Sequence, residues 1–131
     1  VVLVNPVHVA VALRYEASKG TPRVVAKGAG AVAARIRSVA DEHRVPMVED
    51  VPLARALHAS CEVGQEIPAE LYHAVAQVLA FVLSRKAKGA AAGRHASPRV
   101  DTTVPDVRRG GRRTRALPGA ADSSGPAPTG R

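Results

Sequence analysis

The chain has 131 residues, 46% of them hydrophobic, and a formal net charge of +8 at pH 7. This length suffices for one modest domain and excludes a multidomain enzyme. A single cysteine, Cys61, excludes a disulfide framework and a zinc finger built from several thiolates. No apolar run reaches the ~20 residues that span a bilayer, so we expect a soluble chain. The chain starts without methionine in the apolar run Val1–Val4 and shows no signal-peptide features, which predicts a fragment of a longer protein.

Charge and composition divide the chain into two parts. Residues 1–84 hold 8 basic and 8 acidic side chains, whereas residues 85–131 hold 11 basic and 3 acidic ones, so the positive excess lies in the C-terminal part. That part is also rich in glycine and proline, and its few apolar residues follow neither a helical nor a strand period. We therefore predict a folded domain over residues 1–87 and a disordered, Arg/Pro/Gly-rich tail over residues 88–131.

The strands are predicted from short β-branched apolar runs. Val1–Val4 and Val9–Leu13 are two such runs, interrupted by Asn5-Pro6, and they predict two strands joined by a tight turn. Shorter runs predict further strands over residues 24–26 and 45–48.

Three helices are predicted between and after these strands. From Ala31, apolar residues recur at the spacing of one helical face. Asp50 ahead of Pro52 predicts the start of a second helix, with Gly64 as the residue just after its end. Pro68 predicts the start of a third helix. Strands alternating with helices predict an α/β domain, with a small sheet of about four strands packed with three to four helices.

The most reactive stretch of the sequence is Asn5-Pro6-Val7-His8. Asparagine ordinarily deamidates when the backbone nitrogen of the next residue attacks its side chain, but proline has no N–H. Another five-membered ring remains available, in which the Asn5 side-chain nitrogen attacks the backbone carbonyl of its own residue. A succinimide forms, Pro6 is expelled, and the chain is cut. A strained turn held between two strands supplies the near-attack geometry that this reaction needs.

His8 is the candidate proton-transfer group at this turn. It lies three residues after Asn5, and histidine is the side chain that exchanges a proton near neutral pH. The alternative stays open on the tetrapeptide alone, because Asn-Pro is also an ordinary turn dipeptide and His8 an ordinary strand residue.

Longer blocks of sequence carry a resemblance to a known family. Taken together and in this order, the blocks resemble the cytoplasmic domain of the FlhB, YscU and SpaS family of type III export-gate proteins. They are more similar to the flagellar branch of that family. The resemblance covers nearly all of residues 1–86, and long blocks in the right order are far more specific than the tetrapeptide. Besides Asn5-Pro6-Val7-His8, the blocks are AVALRY at 10–15, PRVVAKG at 22–28, VPMVEDVPLARAL at 45–57, EVGQEIP at 62–68 and LYHAVA at 71–76.

The resemblance implies a component of the flagellar type III protein export apparatus that cuts itself between Asn5 and Pro6 and thereby controls which substrates are exported. It implies no enzyme activity beyond this single-turnover reaction and no cofactor. Asn5 would be the nucleophile and cleaved residue, Pro6 the leaving group, and His8 an orienting or proton-transferring neighbour. It also implies a missing transmembrane N-terminal half and a location at the cytoplasmic face of the bacterial inner membrane. The implied partners are other export-gate proteins, exported flagellar subunits and the hook-length control protein.

Some positions depart from the family pattern. Val7 stands where the family has threonine, so that hydroxyl is absent, although neither atom of the closing ring bond comes from this residue. Gly30 stands where the family has aspartate ahead of a helix, and glycine is a weaker cap. The predicted contacts for substrates or partners are the turn surface around Val7 and the helix faces near Arg55 and Gln65.

A second hypothesis assigns function to the tail. Its arginines can bind phosphates electrostatically, which predicts a small basic nucleic-acid-binding protein acting through an Arg-rich tail. No aromatic residue lies among them to stack on bases, so we expect nucleic acid not to be a partner. The arginines in question are Arg108, Arg109, Arg112, Arg113 and Arg115.

Two further sites are weighed and not predicted. The segment from Lys27 to Ala31 lacks the third glycine and the Lys-Ser/Thr pair of phosphate-binding loops. His58, Cys61 and His73 do not have the spacing of the usual zinc ligands. We therefore predict neither a cofactor nor a metal.

Overall fold

A computed structural model describes residues 1–6, 8–100 and 103–107, in which strands and helices alternate along most of the chain. The strands are β1 (Val2–Asn5), β2 (Val9–Arg14), β3 (Arg23–Ala29), β4 (Met47–Glu49) and β5 (Arg94–Ala96). The helices are α1 (Gly30–Glu42), α2 (Val51–Ser60) and α3 (Tyr72–Ala87), with single 3-10 turns at Ala17–Lys19 and Ala69–Leu71.

The strands form one mixed sheet in the order β3-β2-β1-β4-β5. β2 runs antiparallel to both β1 and β3, whereas β4 runs parallel to both β1 and β5. β1 is therefore the central strand, with a hydrogen-bonded neighbour on each side. The predicted α/β class is confirmed, with five strands rather than about four.

Alternate residues of β1 face opposite sides of the sheet. Leu3 belongs to the larger core, to which α2 and α3 contribute. Val2 and Val4 belong to a smaller core that includes Ala33 and Ala40 of α1. Because both faces are covered, all four residues of β1 are buried, which explains its uninterrupted apolar sequence up to Asn5.

Helix α2 begins where the sequence predicts but ends earlier. Asp50 is its N-cap, and the carboxylate accepts a hydrogen bond from the Leu53 N–H at 3.2 Å. The helix stops at Ser60, so the prediction that Gly64 directly follows it is wrong. Gly64 lies in the next loop with a φ of 93°, and its N–H donates to the Val24 carbonyl at 2.7 Å. Its left-handed conformation therefore shapes a turn against β3.

The chain returns to the sheet after α3. β5 pairs with β4, and Arg99 beyond it is only 6% exposed. Val104 and Val107 pack against the larger core. The fold therefore extends past the predicted boundary at residue 87, because the outer side of β4 and the carboxylate of Asp50 provide partners for this segment. The rest of the predicted tail, residues 101–102 and 108–131, lies outside the described residues.

Helix α3 is the longest described helix, with 16 residues. Val75, Val78 and Val82 lie on its buried face, at the spacing that the sequence shows. Within the part of the chain that the structure describes, no helix has the length and apolar character needed to cross a bilayer.

Candidate functional site

The predicted reactive stretch forms the turn between β1 and β2. Asn5 ends β1, and its carbonyl oxygen accepts a hydrogen bond from the His8 N–H at 3.0 Å, which closes a four-residue β-turn. The His8 carbonyl accepts from the Gly30 N–H at 3.0 Å, at the start of α1. Pro6 is half-buried, and Val7 lies outside the described residues. The turn is thus bonded both within itself and to the start of a helix.

Asn5 is a buried polar residue, with 7% of its surface exposed. It pairs with Val9 across the hairpin. Its side-chain amide makes no hydrogen bond to another residue within the described ranges. Here the amide nitrogen is not engaged by those residues, as a nucleophile requires.

His8 contacts Asn5 through its backbone rather than through its ring. The residue is exposed, and no hydrogen bond joins its ring to another described residue. The structure therefore places His8 in the predicted turn with its N–H as the bonded group. The imidazole faces water, from which it can exchange protons.

Two helices begin at the edge of the sheet where β1 ends. Helix α1 starts beside the turn, and α2 starts directly after β4, which lies parallel to β1. The N–H of Asp50, the N-cap of α2, donates to the Val4 carbonyl at 3.1 Å, one residue before Asn5. Helix N-termini carry partial positive charge, so this edge of the sheet favours negative charge.

Asp50, the N-cap of α2, also takes part in a buried ion pair. The Arg99 guanidinium donates from Nε to Oδ2 of Asp50 at 2.7 Å and from Nη2 to Oδ1 at 2.8 Å. The Ser97 hydroxyl donates to Oδ2 at 2.7 Å. The two charged side chains are 2% and 0% exposed. Sequence reasoning identified Asp50 only as a helix cap, because its partner lies in the segment assigned to the tail.

The Asp50 carboxylate is charged at neutral pH. Burial raises the pKa of this carboxyl group, but hydrogen bonds from Arg99, Ser97 and the Leu53 N–H, together with the Arg99 charge, outweigh burial. The pKa therefore lies below its usual value. The ion pair is bidentate, with one guanidinium N–H on each carboxylate oxygen, which is the favourable geometry for a buried arginine.

An apolar groove of about 500 Å³ lies at the opposite end of the sheet from the turn. Its walls are Tyr15 and residues 20–22 on one side and α3 on the other, and Ile67 forms part of its lining. Three of its large apolar side chains are exposed: Tyr15, Tyr72 and Leu83. The groove was not predicted, because its walls come from segments that are far apart in the sequence.

The predicted contact residues Arg55 and Gln65 lie apart. Arg55 is exposed on α2 and lines a shallow groove together with residues 104–107. Gln65 lies in the loop after α2, and its carbonyl accepts from the Val24 N–H at 2.9 Å. Val24 pairs with Leu13 near the far end of β2, so the structure does not bring Gln65 to the turn.

The residues weighed for phosphate or metal binding have other contacts. Lys27 forms an ion pair with Glu62 at 3.4 Å and donates to the His58 carbonyl at 2.9 Å. The Cys61 Sγ is buried, 3.3 Å from the Glu66 carbonyl oxygen. Among the residues described, no group of three or more His, Cys, Asp or Glu side chains is placed to hold a metal ion. The arginines at 108–115, on which the nucleic-acid hypothesis depends, lie outside these residues.

In sequence, the chain is similar to flagellar biosynthetic protein FlhB of several bacteria. It is 49% identical to FlhB of Salmonella typhimurium over 108 residues, which are 82% of this chain and 28% of that protein. It is 59% identical to FlhB of Yersinia enterocolitica over 87 residues, which are 66% of this chain and 23% of that protein. The chain therefore spans about a quarter of the length of these relatives.

In fold, the chain is similar to solved domains of related proteins. The cytoplasmic domain of FlhB from Shewanella putrefaciens has a TM-score of 0.67 and 36% identity, covering 80% of this chain and 85% of that one. The EscU C-terminal domain has a TM-score of 0.59 and 32% identity, covering 61% of this chain and 80% of that one. Several of the EscU structures are of variants in which an asparagine, or the proline directly after it, is replaced.

A family model supports the same relationship. The family is described as "FlhB HrpN YscU SpaS Family", and its model matches residues 1–82, more than half of the chain. These residues include the turn at Asn5 and all three helices up to residue 82 of α3. The chain belongs to this family.

Proposed function

We propose that this chain is the cytoplasmic part of a type III export-gate protein, and that it cuts itself between Asn5 and Pro6 to control which proteins the flagellar export apparatus accepts. The family and the flagellar relatives support the export role. The geometry of the turn at Asn5 is the observation that supports the proposed cleavage. Asn5 ends the central strand with its amide unengaged by the described residues and its carbonyl bonded to the His8 N–H.

The proposed reaction uses atoms of only two residues and one water molecule. The Asn5 Nδ2 attacks the Asn5 carbonyl carbon and loses a proton, and negative charge develops on the carbonyl oxygen. The intermediate collapses to a succinimide as the C–N bond to Pro6 breaks and the Pro6 nitrogen takes up a proton. Water then opens the succinimide and leaves one carboxylate at Asn5. Proline favours this route because it offers no N–H for the competing deamidation.

The turn geometry supports this route electrostatically. The His8 N–H lies 3.0 Å from the oxygen on which charge develops, so it acts as one donor of an oxyanion hole. In other enzymes, removing one such donor slows the reaction about 10²–10³-fold. The starts of α1 and α2 at the same sheet edge add favourable partial charge. His8 would contribute through its backbone as donor and through its exposed ring as a proton carrier.

The apolar groove at the other end of the sheet is the proposed contact for exported chains. Unfolded proteins present exposed apolar side chains, and a groove lined by Tyr15, Tyr72 and Leu83 offers them a complementary surface. The turn surface around Val7 and the surfaces near Arg55 and Gln65 stay predicted contacts for substrates or partners. The membrane half, the location at the inner membrane and the partners of the sequence prediction belong to this same proposal.

Intact mass spectrometry of the purified chain tests the cleavage. We expect a heavy fragment that starts at Pro6 and a peptide Val1–Asn5 from the wild type, and a single uncut chain from Asn5→Ala. Pro6→Ala restores an N–H, so we expect slower cleavage together with deamidation, seen as a gain of about 1 Da. A wild-type chain that stays as intact as Asn5→Ala after long incubation would refute the assignment of Asn5.

The threonine of the family pattern provides a further comparison. Because neither atom of the ring-closing bond comes from residue 7, we expect Val7→Thr to change the cleavage rate by less than about tenfold. If only Val7→Thr is cut, the hydroxyl is part of the reaction and the proposed mechanism lacks a component.

A further inference from the structure

We propose that residues 94–99, here called the strap, hold β1 in the sheet and retain it there after the chain is cut. Arg99 is the positioning residue in this proposal. The part that concerns the cut chain rests on the proposed cleavage, whereas the hold on β1 in the uncut chain does not. The strap covers β4, and β4 and its flanking residues form the whole of one flank of β1.

This flank of β1 is short. β4 has only three residues, and the residues that flank it add two backbone bonds to β1. The Val2 N–H donates to the Pro46 carbonyl at 2.9 Å, and the Asp50 N–H donates to the Val4 carbonyl at 3.1 Å. Without the strap, β4 would be a three-residue edge strand. Such a short edge strand pairs weakly with its neighbour, because its outer N–H and C=O groups have no partner in the sheet and are hydrated instead.

Arg99 neutralises a buried negative charge next to the contact between β4 and β1. The Asp50 residue that bonds Val4 through its backbone also carries a fully buried carboxylate, and Arg99 neutralises it through two hydrogen bonds. Cleavage adds a second carboxylate at Asn5, one residue from Val4. With Arg99 in place, the Asp50 carboxylate is neutralised and the new charge meets two helix N-termini, so β1 stays bound. Without Arg99, the Asp50 carboxylate would lose its counter-charge, and it would repel the new carboxylate at Asn5.

Hydrogen exchange on the uncut chain tests the hold on β1. In an Asn5→Ala background, we expect Arg99→Met to speed exchange of the Val2 and Asp50 amides at least about tenfold more than that of Val78 in α3. Val82→Ala is the control, since it removes buried volume from α3 and should speed all protected amides alike. If Arg99→Met produces the same uniform pattern as this control, the proposal is wrong.

Two variants keep the test decisive if Arg99→Met does not fold. Asp50→Asn combined with Arg99→Met removes both charges, and we expect it to fold and to return exchange of the Val2 amide towards the parent rate. Ser97→Ala leaves the ion pair and removes one bond to it, so we expect about fivefold faster exchange of the Asp50 amide alone. A double variant whose Val2 amide still exchanges selectively faster than in the parent, or a Ser97→Ala variant with no selective change at the Asp50 amide, would overturn the proposal.

Retention after cleavage is measured on the chain that contains Asn5. Size-exclusion chromatography followed by mass spectrometry gives the fraction of peptide Val1–Asn5 that elutes with the heavy fragment. We expect this fraction to fall about tenfold or more in Arg99→Met and to recover when Asp50→Asn is added. Equal retention in wild type and Arg99→Met refutes retention by the strap. An uncut wild type refutes the proposed function, and the exchange experiment then decides the strap by itself.

Discussion

The two flanks of β1 are built in different ways. On one flank, β2 follows β1 directly in the sequence, pairs with it over four residues and is joined to it by the turn at Pro6. On the other flank, β4 comes from a distant part of the sequence, pairs over three residues and is covered by β5 and the Asp50–Arg99 pair. The first flank is a local hairpin, whereas the second exists only once the whole fold has formed.

This difference matters most at the bond that is proposed to break. A short turn makes the pairing of β1 with β2 favourable, because little loop entropy is lost when it closes. Cutting after Asn5 removes that connection, and both flanks then depend on contacts between separate segments. The β4 flank, with its buried charges, therefore decides more of the behaviour of β1 after cleavage than before it.

The largest effect is expected from Asp50→Ala on the β4 flank. The substitution removes the N-cap of α2 and leaves the buried Arg99 guanidinium unpaired, so we expect a loss of about 3–5 kcal/mol in the free energy of unfolding. Urea denaturation measures it. Glu49→Ala, at the exposed neighbour, is the control and should cost less than about 0.5 kcal/mol. Similar losses in the two variants would mean that this flank does not depend on the carboxylate.

Acid should weaken the same flank to a smaller extent. The folded pKa of Asp50 lies below its unfolded value, so its contribution is complete above the unfolded value of about 4 and is lost as the pH falls through the folded pKa. Unfolding free energies of the wild type and of Asp50→Asn, measured between neutral pH and about pH 2, should converge in acid. If the two curves of unfolding free energy against pH are parallel, the pKa of Asp50 is not lowered by folding.

The β2 flank is expected to respond to packing rather than to charge. A Cβ added at Gly28 of β3 would overlap Cγ1 and Cβ of Val32 in α1, and the β-branched side chain has little freedom to move. We expect Gly28→Ala to cost about 1–3 kcal/mol by thermal or urea unfolding. Val32→Ala alone, at an exposed position, should be nearly neutral and should partly rescue Gly28→Ala. No rescue would show that the clash is not the cause.

The smallest effect is expected at Ser97. Its hydroxyl donates to Asp50 at 2.7 Å and accepts from the Arg99 N–H at 3.2 Å, so Ser97→Ala should cost about 1 kcal/mol. Ser38→Ala on the exposed side of α1 is the matched control, with an expected change within about 0.5 kcal/mol. If both changes are equally small, Ser97 does not support the ion pair.

The local flank could be predicted from sequence, and the distant flank only in part. Alternating apolar runs around Asn5-Pro6 give the hairpin, and helical spacing with Asp50 as a cap gives α1, α2 and α3 within a few residues. These signals are local, so they need no knowledge of the fold. The candidate site was found for the same reason, since Asn5, Pro6 and His8 are near neighbours along the chain.

The other elements have no local signal. β5 is three residues long and lies among glycine, alanine and arginine, a composition that predicts no strand. Arg99 is buried only because Asp50, 49 residues away, needs a counter-charge. The apolar groove combines Tyr15 with residues of α3 in the same way. Such features follow from tertiary contacts, which periodicity and turn residues do not encode.

The interior position of β1 gives the cut chain a property that the intact chain lacks. An intact chain folds by itself, so its melting temperature does not depend on how dilute the sample is. Once an inner strand belongs to a separate piece, folding becomes an association, and the melting temperature rises with protein concentration. Dilution alone would then distinguish nicked from intact molecules, and where the protein is abundant the two would be equally well folded.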